Sequence, residues 1–354
     1  MPTTPYLPIL SLTRGETVES IHYGAIAVVN PQNELVASYG DPEVVTFLRS
    51  SAKPFQAMPF VGHGGVEHYR LTQEELALIC ASHSGTDEHV AVARSIQSKT
   101  GVKETDLLCG THMPSHKPTV EAMQSRGEQL TSNRHNCSGK HTGMVAFARM
   151  LNLPYSLEEH AYIAMDHPIQ KEIIQNFAEM CSLPVEQVRL GVDGCSAPNF
   201  AVPLRSAALA FARLCDPSGL PESKAQACRK IFAAMTTYPN MVGGPDSFDT
   251  HLMQTTRGKI VCKGGAEGYQ ALGVAPEAAG PGSPALGITF KVSDGDYRGS
   301  TRPAIALAIL SQLGVITAEE LITLSSYGPT FDIFNWRKLL VGKATPCFSF
   351  QLPG

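Results

Sequence analysis

Ser50-x-x-Lys53 is the first pair in the chain able to do chemistry. A spacing of three brings a hydroxyl and an amine onto one face of a helix. A serine hydroxyl is a poor nucleophile until a neighbour takes its proton, and a lysine can take it only when neutral. Neutrality at pH 7 means lowering the lysine pKa by roughly 3.4 units, about 4.6 kcal/mol. Burial or a second nearby cation supplies a shift of that order. A chain with many serines also yields such a match by chance, so the pair gains weight only from partners elsewhere in the chain.

Ser82-His83-Ser84 and, much later, Lys263-Gly264-Gly265 come next. Their order is that of the serine-lysine box, second serine and lysine-glycine strand of serine β-lactamases and penicillin-binding proteins. Only the first residue of the middle box matches, and Ser293-Asp294-Gly295 falls after Lys263 and reads as a turn. A second constellation is Asn136-Cys137-Ser138-Gly139-Lys140-His141 with Asp193-Gly194-Cys195-Ser196. Two such cysteines can close on one zinc ion if the fold brings them together, although buried cysteines are mostly inert packing. Glycines beside both thiols favour tightly turned backbone. From residue types alone, His141 or His135 would be a further donor before Lys140.

The elements that must carry these residues are strands at both ends of the chain and helices between. Ile21 to Val29 and Glu34 to Tyr39 read as a hairpin through Asn30-Pro31-Gln32-Asn33, and Val44 to Leu48 as a third strand. Capping boxes at Thr72/Glu75, Ser156/Glu159 and Thr317/Glu320 open helices, and Pro168 opens one through Met180. Lys259 to Cys262 and Ala285 to Val292 return to strand character, while Ala278 to Pro284 is a surface loop. The expected fold class is α/β (α+β): a mixed, largely antiparallel sheet whose first and last strands meet, covered by helices, in a single domain over 1–354.

Composition narrows the partners. The chain has 354 residues, 28 Lys and Arg against 32 Asp and Glu, and a net charge of -4. With one tryptophan and no basic run, it lacks the footprint of a nucleic-acid or membrane-surface binder. No apolar stretch is long enough to span a membrane. Met1-Pro2-Thr3-Thr4-Pro5 has neither a basic nor an apolar leader region. Nine cysteines without pairing spacing argue for a reducing compartment, so a cytoplasmic location is expected. A small polar substrate is the expected partner.

Six spaced motifs then carry a family resemblance: Arg49-Ser50-Ser51-Ala52-Lys53-Pro54-Phe55-Gln56, Cys80-Ala81-Ser82-His83-Ser84-Gly85, Cys109-Gly110-Thr111-His112, His135-Asn136-Cys137-Ser138-Gly139-Lys140-His141, Asp193-Gly194-Cys195, and Lys263-Gly264-Gly265-Ala266-Glu267-Gly268. Together they resemble the rhizobial-type (class 3) L-asparaginases, the asparaginase II family, from about Leu12 to the C-terminus. The resemblance implies hydrolysis of L-asparagine to L-aspartate and ammonia by a homodimer with a fold similar to serine β-lactamases. It implies two serine-lysine pairs, Ser50 with Lys53 and Ser82 with Lys263, and a zinc site on Cys137, Lys140 and Cys195. Tyr238 and Ser247 depart from the family pattern, where a histidine and an arginine are expected.

Asparagine is a zwitterion, so its pocket needs a cation for the carboxylate and an anion for the ammonium. Arg49 and Asp193, with its neighbour Gly194, are the candidates, and His83 is a further one. Backbone N–H groups near Ser50 and at Gly264 and Gly265 are candidates for an oxyanion hole. Competing readings are another serine acyl-transfer hydrolase of β-lactamase or peptidase type, a catalytically silent amino-acid-binding protein, and a thiol enzyme using Cys137.

Overall fold

The structure, a computed structural model, describes residues 4–350. The leader reading of Met1-Pro2-Thr3 and the outermost ends of the 1–354 expectation lie outside the described residues. The chain packs into two compact units, each discontinuous in sequence. One comprises Met1–Ser51, Val202–Asp216 and Thr255–Gly354, and the other Ala52–Ala201 and Pro217–Gln254.

Eleven strands occur among the described residues: β1 (Leu7–Arg14), β2 (Thr17–Val29), β3 (Leu35–Tyr39), β4 (Val45–Phe47), β5 (Arg189–Val192), β6 (Pro198–Pro203), β7 (Ile260–Gly264), β8 (Tyr269–Val274), β9 (Leu286–Val292), β10 (Phe331–Phe334) and β11 (Leu340–Pro346). In the first unit they form an eight-stranded sheet ordered β10-β11-β1-β2-β9-β8-β7, with β3 also on β2. Its neighbours run antiparallel, and the first strand does meet the last: Leu10, Ser11 and Leu12 face Pro346, Thr345 and Ala344. The helix Leu204–Cys215 packs across β2, β8 and β9. It lies so close that a Cβ on Gly287 would sit 1.7 Å from the Ala208 carbonyl oxygen. Strands β7 to β9 are buried along almost their whole length. A strand covered on both faces loses its alternation and reads as a plain apolar run, which is how β9 shows in the sequence.

In the second unit the helix Lys53–Gly62 is buried at every residue from Lys53 to Val61. A helix without a polar face is a central one, and it packs against Ser138–Met150, Pro168–Met180 and Glu222–Thr237. Phe55 meets Phe177 at 5.7 Å between ring centres, and Phe177 stacks on Phe200 at 4.9 Å. Pro54, in the first turn, gives up no intrahelical bond there. β5 and β6 pair antiparallel in this unit, Leu190 facing Phe200 and Val192 facing Pro198.

The capping boxes at Thr72/Glu75 and Thr317/Glu320 are present, and Pro168 opens the helix Pro168–Met180. Ser156/Glu159 is a correction, because residues 156–159 form turns and bends. Leu157 there is 68% exposed, so a helix would have no apolar face to bury, and a cap alone does not hold a short helix. Strands β1, β5, β6, β8, β10 and β11 add to those read from sequence.

Candidate active site

Arg49, Ser50, Lys263, Gly264 and Gly265 belong to the first unit. A short 3-10 turn, Arg49–Ala52, carries Ser50. Arg49 has φ +52°, a left-handed conformation that costs a residue with a side chain roughly 1–3 kcal/mol and persists only when its surroundings hold it. Two contacts hold this turn on the end of β7. Ser51 Oγ donates to the Lys263 carbonyl at 2.6 Å, and a Cβ on Gly265 would stand 2.4 Å from the Leu48 carbonyl oxygen. Ser50, half-buried, is therefore fixed beside the strand that bears Lys263. The Lys263 side chain is buried, and its Nζ donates to the Gly264 carbonyl at 2.8 Å. The Gly265 carbonyl accepts from Arg302 Nη1 at 2.8 Å, while the Arg49 guanidinium stands 3.9 Å from the Glu267 carboxylate.

Lys53, Ser82, His83 and the cysteine cluster belong to the second unit. Lys53 Nζ, on a residue only 1% exposed, donates to Ala81 O at 2.5 Å, Ser82 Oγ at 2.8 Å and Asn136 O at 3.2 Å. The three partners suit an ammonium, which has three hydrogens to give. They equally suit a neutral amine, which would donate to the two carbonyls and accept the hydroxyl proton of Ser82 on its lone pair. A proton can thus pass between Lys53 and Ser82 without either side chain moving. The Ser82 N–H, bonded to Val242 O at 2.9 Å, fixes its own backbone.

His83 is wholly engaged: Nδ1 accepts from Gly85 N at 3.1 Å and Nε2 donates to Ser138 Oγ at 2.8 Å. Burial, then the charges of His89 and Lys53, hold it well below the usual imidazole range, so it is a neutral brace. Tyr238 ends the helix Glu222–Thr237, and Ser247 lies in the turn closed by its N–H on Gly244 O.

Cys137, Lys140 and Cys195 are brought together. Cys137 caps the helix Ser138–Met150, Lys140 lies in its first turn, and Cys195 sits with Asp193 and Gly194 in the turn between β5 and β6. Lys140 Nζ is 2.9 Å from Cys195 Sγ, and Cys195 Sγ is 3.5 Å from Asp193 Oδ2. The hydrogen bond from Cys195, against burial, and the nearby ammonium groups of Lys53 and Lys140 hold the Cys137 thiol well below its usual value. That same bond, with burial, raises Cys195. Burial works against the Lys140 ammonium, yet the Cys195 and Cys137 charges outweigh it and its pKa is raised. His141 Nδ1 meets Tyr162 Oη at 2.7 Å, and its buried Nε2, with no hydrogen bond of good geometry, faces Cys195.

Two thiols, an amine and an orphaned imidazole nitrogen converging in a buried spot fit a soft divalent ion such as zinc. Among the described residues no group of three or more His, Cys, Asp or Glu could hold a metal, so such a site depends on the lysine as a donor. Sequence reasoning did not find Ala81 O and Asn136 O, which carry no side-chain signal, nor Tyr162, which lies outside the motifs.

The family model described as L-asparaginase II matches residues 10–346, spanning both units. The chain belongs to the L-asparaginase II family. Membership of that family supports an amidohydrolase. No curated protein matches it. Among solved structures it is similar to a probable glutaminase from Bacillus subtilis complexed with 6-diazo-5-oxo-L-norleucine, at 13% identity over 82% of this chain and 84% of that one, with a TM-score of 0.38. It is also similar to Mglu in its native form in the presence of 4.3 M NaCl, at 16% identity over 84% of this chain and 63% of that one, with a TM-score of 0.44. Similarity of this degree says nothing of the L-asparaginase II member's own chemistry. No helix among its described residues is long and apolar enough to cross a membrane.

Proposed function

We propose that this family member hydrolyses L-asparagine to L-aspartate and ammonia through an acyl-enzyme. Ser50 supplies the nucleophile and Lys53 its base, Ser82 relays the proton to the departing ammonia, and Lys263 serves as the second amine. Arg49 and Asp193 receive the α-carboxylate and α-ammonium of the substrate. The observation that carries this reading is the Lys53 cradle, in which a buried amine meets the Ser82 hydroxyl at 2.8 Å and two carbonyls, the contact through which a proton taken from Ser50 would pass on to Ser82.

Zinc would be held by Cys137, Lys140 and Cys195. Two thiolates and a neutral amine leave the ion almost no net charge, so its pull on a bound water is weak and its part is to brace the pocket for substrate. Nine free thiols, all among the described residues, support a reducing cytoplasm, and the homodimer rests on the family resemblance.

Ammonia release by the purified protein is the test, with asparagine, glutamine and nitrocefin offered separately. Turnover of asparagine well above glutamine, lost in Ser50→Ala with the fold intact, is the expected result. Preference for glutamine overturns the substrate, full activity of Ser50→Ala overturns the nucleophile, and nitrocefin cleavage without ammonia overturns the reaction. Removing zinc with a chelator should raise KM for asparagine and leave turnover at saturation largely intact.

A further inference from the structure

The Lys53 cradle is assembled from two separate loops. Ala81 O and Ser82 Oγ come from the segment after the helix Gln73–Ile79, and Asn136 O from the segment before the helix Ser138–Met150. Loops have no ladder to hold them in register, so their separation must be set by other bonds. Two such bonds cross between them. His83 Nε2 reaches Ser138 Oγ at 2.8 Å, and Arg134 Nη1 donates to the Gly85 carbonyl at 2.8 Å. The second is the heavier staple. Gly85 has φ +74°, and a Cβ there would lie 2.7 Å from the Arg134 carbonyl oxygen, so the two backbones touch.

The guanidinium is only 4% exposed, and three further bonds hold it. Nη2 reaches Asp87 Oδ1 and Glu128 Oε1, each at 2.6 Å, and Nε reaches Glu128 Oε1 at 2.8 Å. A planar fork held by three bonds to two carboxylates leaves its fourth bond, to Gly85 O, little freedom. We propose that Arg134 is a positioning residue for the reaction: it sets the distance between the Ser82 and Asn136 loops, and so the place of the Lys53 amine. The step rests on the serine-lysine reading above, though its geometry does not.

Arg134→Ala, Arg134→Lys and Glu128→Gln test it, each measured for kcat, KM, melting temperature and acetylation of Lys53 by acetic anhydride, read by peptide mass spectrometry. Misplacement of about 1 Å costs on the order of 100-fold in rate, so Arg134→Ala should lose roughly 10- to 100-fold in kcat with KM nearly unchanged. Guanidinium ion at sub-denaturing concentration should restore part of that loss, and Lys53 should acetylate faster than in the parent. Arg134→Lys should lose less than the alanine variant yet stay below the parent, because an ammonium keeps the charge without the fixed planar fork. Glu128→Gln, which keeps the guanidinium, should lose less, and both milder variants serve if Arg134→Ala does not fold. A kcat within threefold of the parent overturns the proposal, as does a loss that guanidinium does not rescue while Lys53 labelling stays unchanged. If the parent protein releases no ammonia, the functional reading falls; Lys53 labelling then decides the role of Arg134 alone, faster labelling supporting it and unchanged labelling overturning it.

Discussion

Lys53 and Lys140 are two lysines of one unit, buried almost equally, whose nearest partners differ. Lys53 donates to a hydroxyl and two carbonyls. Lys140 meets the Cys195 sulfur, and the Cys195 and Cys137 charges raise its pKa against burial. Both ammonium groups also act on the Cys137 thiol, so neither is far from sulfur. Burial is thus not what separates the two; the atom nearest each amine is, a hydroxyl that can exchange a proton on one side and a thiol on the other.

The sharpest way to break this contrast is to remove each amine in turn. Lys53→Met should lower kcat for ammonia release by about 10²- to 10⁴-fold, the usual worth of a general base. Lys140→Met should leave kcat within a fewfold and appear in KM and in metal content. Equal losses of kcat in both variants would erase the distinction. A second experiment separates the two by their anions. Replacing both Cys137 and Cys195 by serine leaves Lys140 a buried cation with only the Asp193 charge nearby, a loss of up to about 3–5 kcal/mol. The urea midpoint should fall accordingly unless Lys140 loses its proton, and Lys53, held by oxygens, should keep its contacts. A denaturation curve unchanged by the double substitution would show that the thiolate does not hold Lys140.

Much of this site is legible in residue types alone. The residue types of Ser50, Lys53, Ser82 and Lys263 suggest serine-lysine chemistry and those of Cys137 and Cys195 a metal, whereas Lys140 entered only with the family resemblance; Cys137, Lys140 and Cys195 do converge. What stays hidden is carried by backbone or by distance along the chain. The carbonyls of Ala81 and Asn136 have no residue-type signature, and Arg134 gains meaning only from Gly85, 49 positions away. His83 reads in sequence as a substrate-binding candidate, and in the structure both its nitrogens are committed to Gly85 and Ser138. In the fold, the cap at Thr72 is legible because buried residues come after it, whereas the cap at Thr317 opens a short helix with no buried residue and the cap chemistry at Ser156 opens none. Strands β10 and β11 alternate exposed and covered residues over short lengths, which weakens their signal.

The smallest effect concerns the imidazoles packed on the Lys53 side. His89 stacks on His83 at 4.9 Å and completes the capping box of the helix Asp87–Thr100, its Nδ1 accepting from Thr86 N while Nε2 donates to Asn240 O. Burial lowers its pKa to about 4, and a proton on Nδ1 would break the bond to Thr86. An unfolded chain binds that proton near pH 6.5, so between about pH 6.5 and 4 it holds more protons than the folded one, and stability falls as pH falls. From 6.5 to about 4 the loss approaches 3 kcal/mol for this ring. Melting temperature should therefore decline through that window, and His89→Gln, which has no proton to bind there, should flatten the decline. A slope identical in the parent and the variant would mean that His89 titrates alike folded and unfolded, and that the Lys53 side of the unit owes its acid sensitivity to other groups.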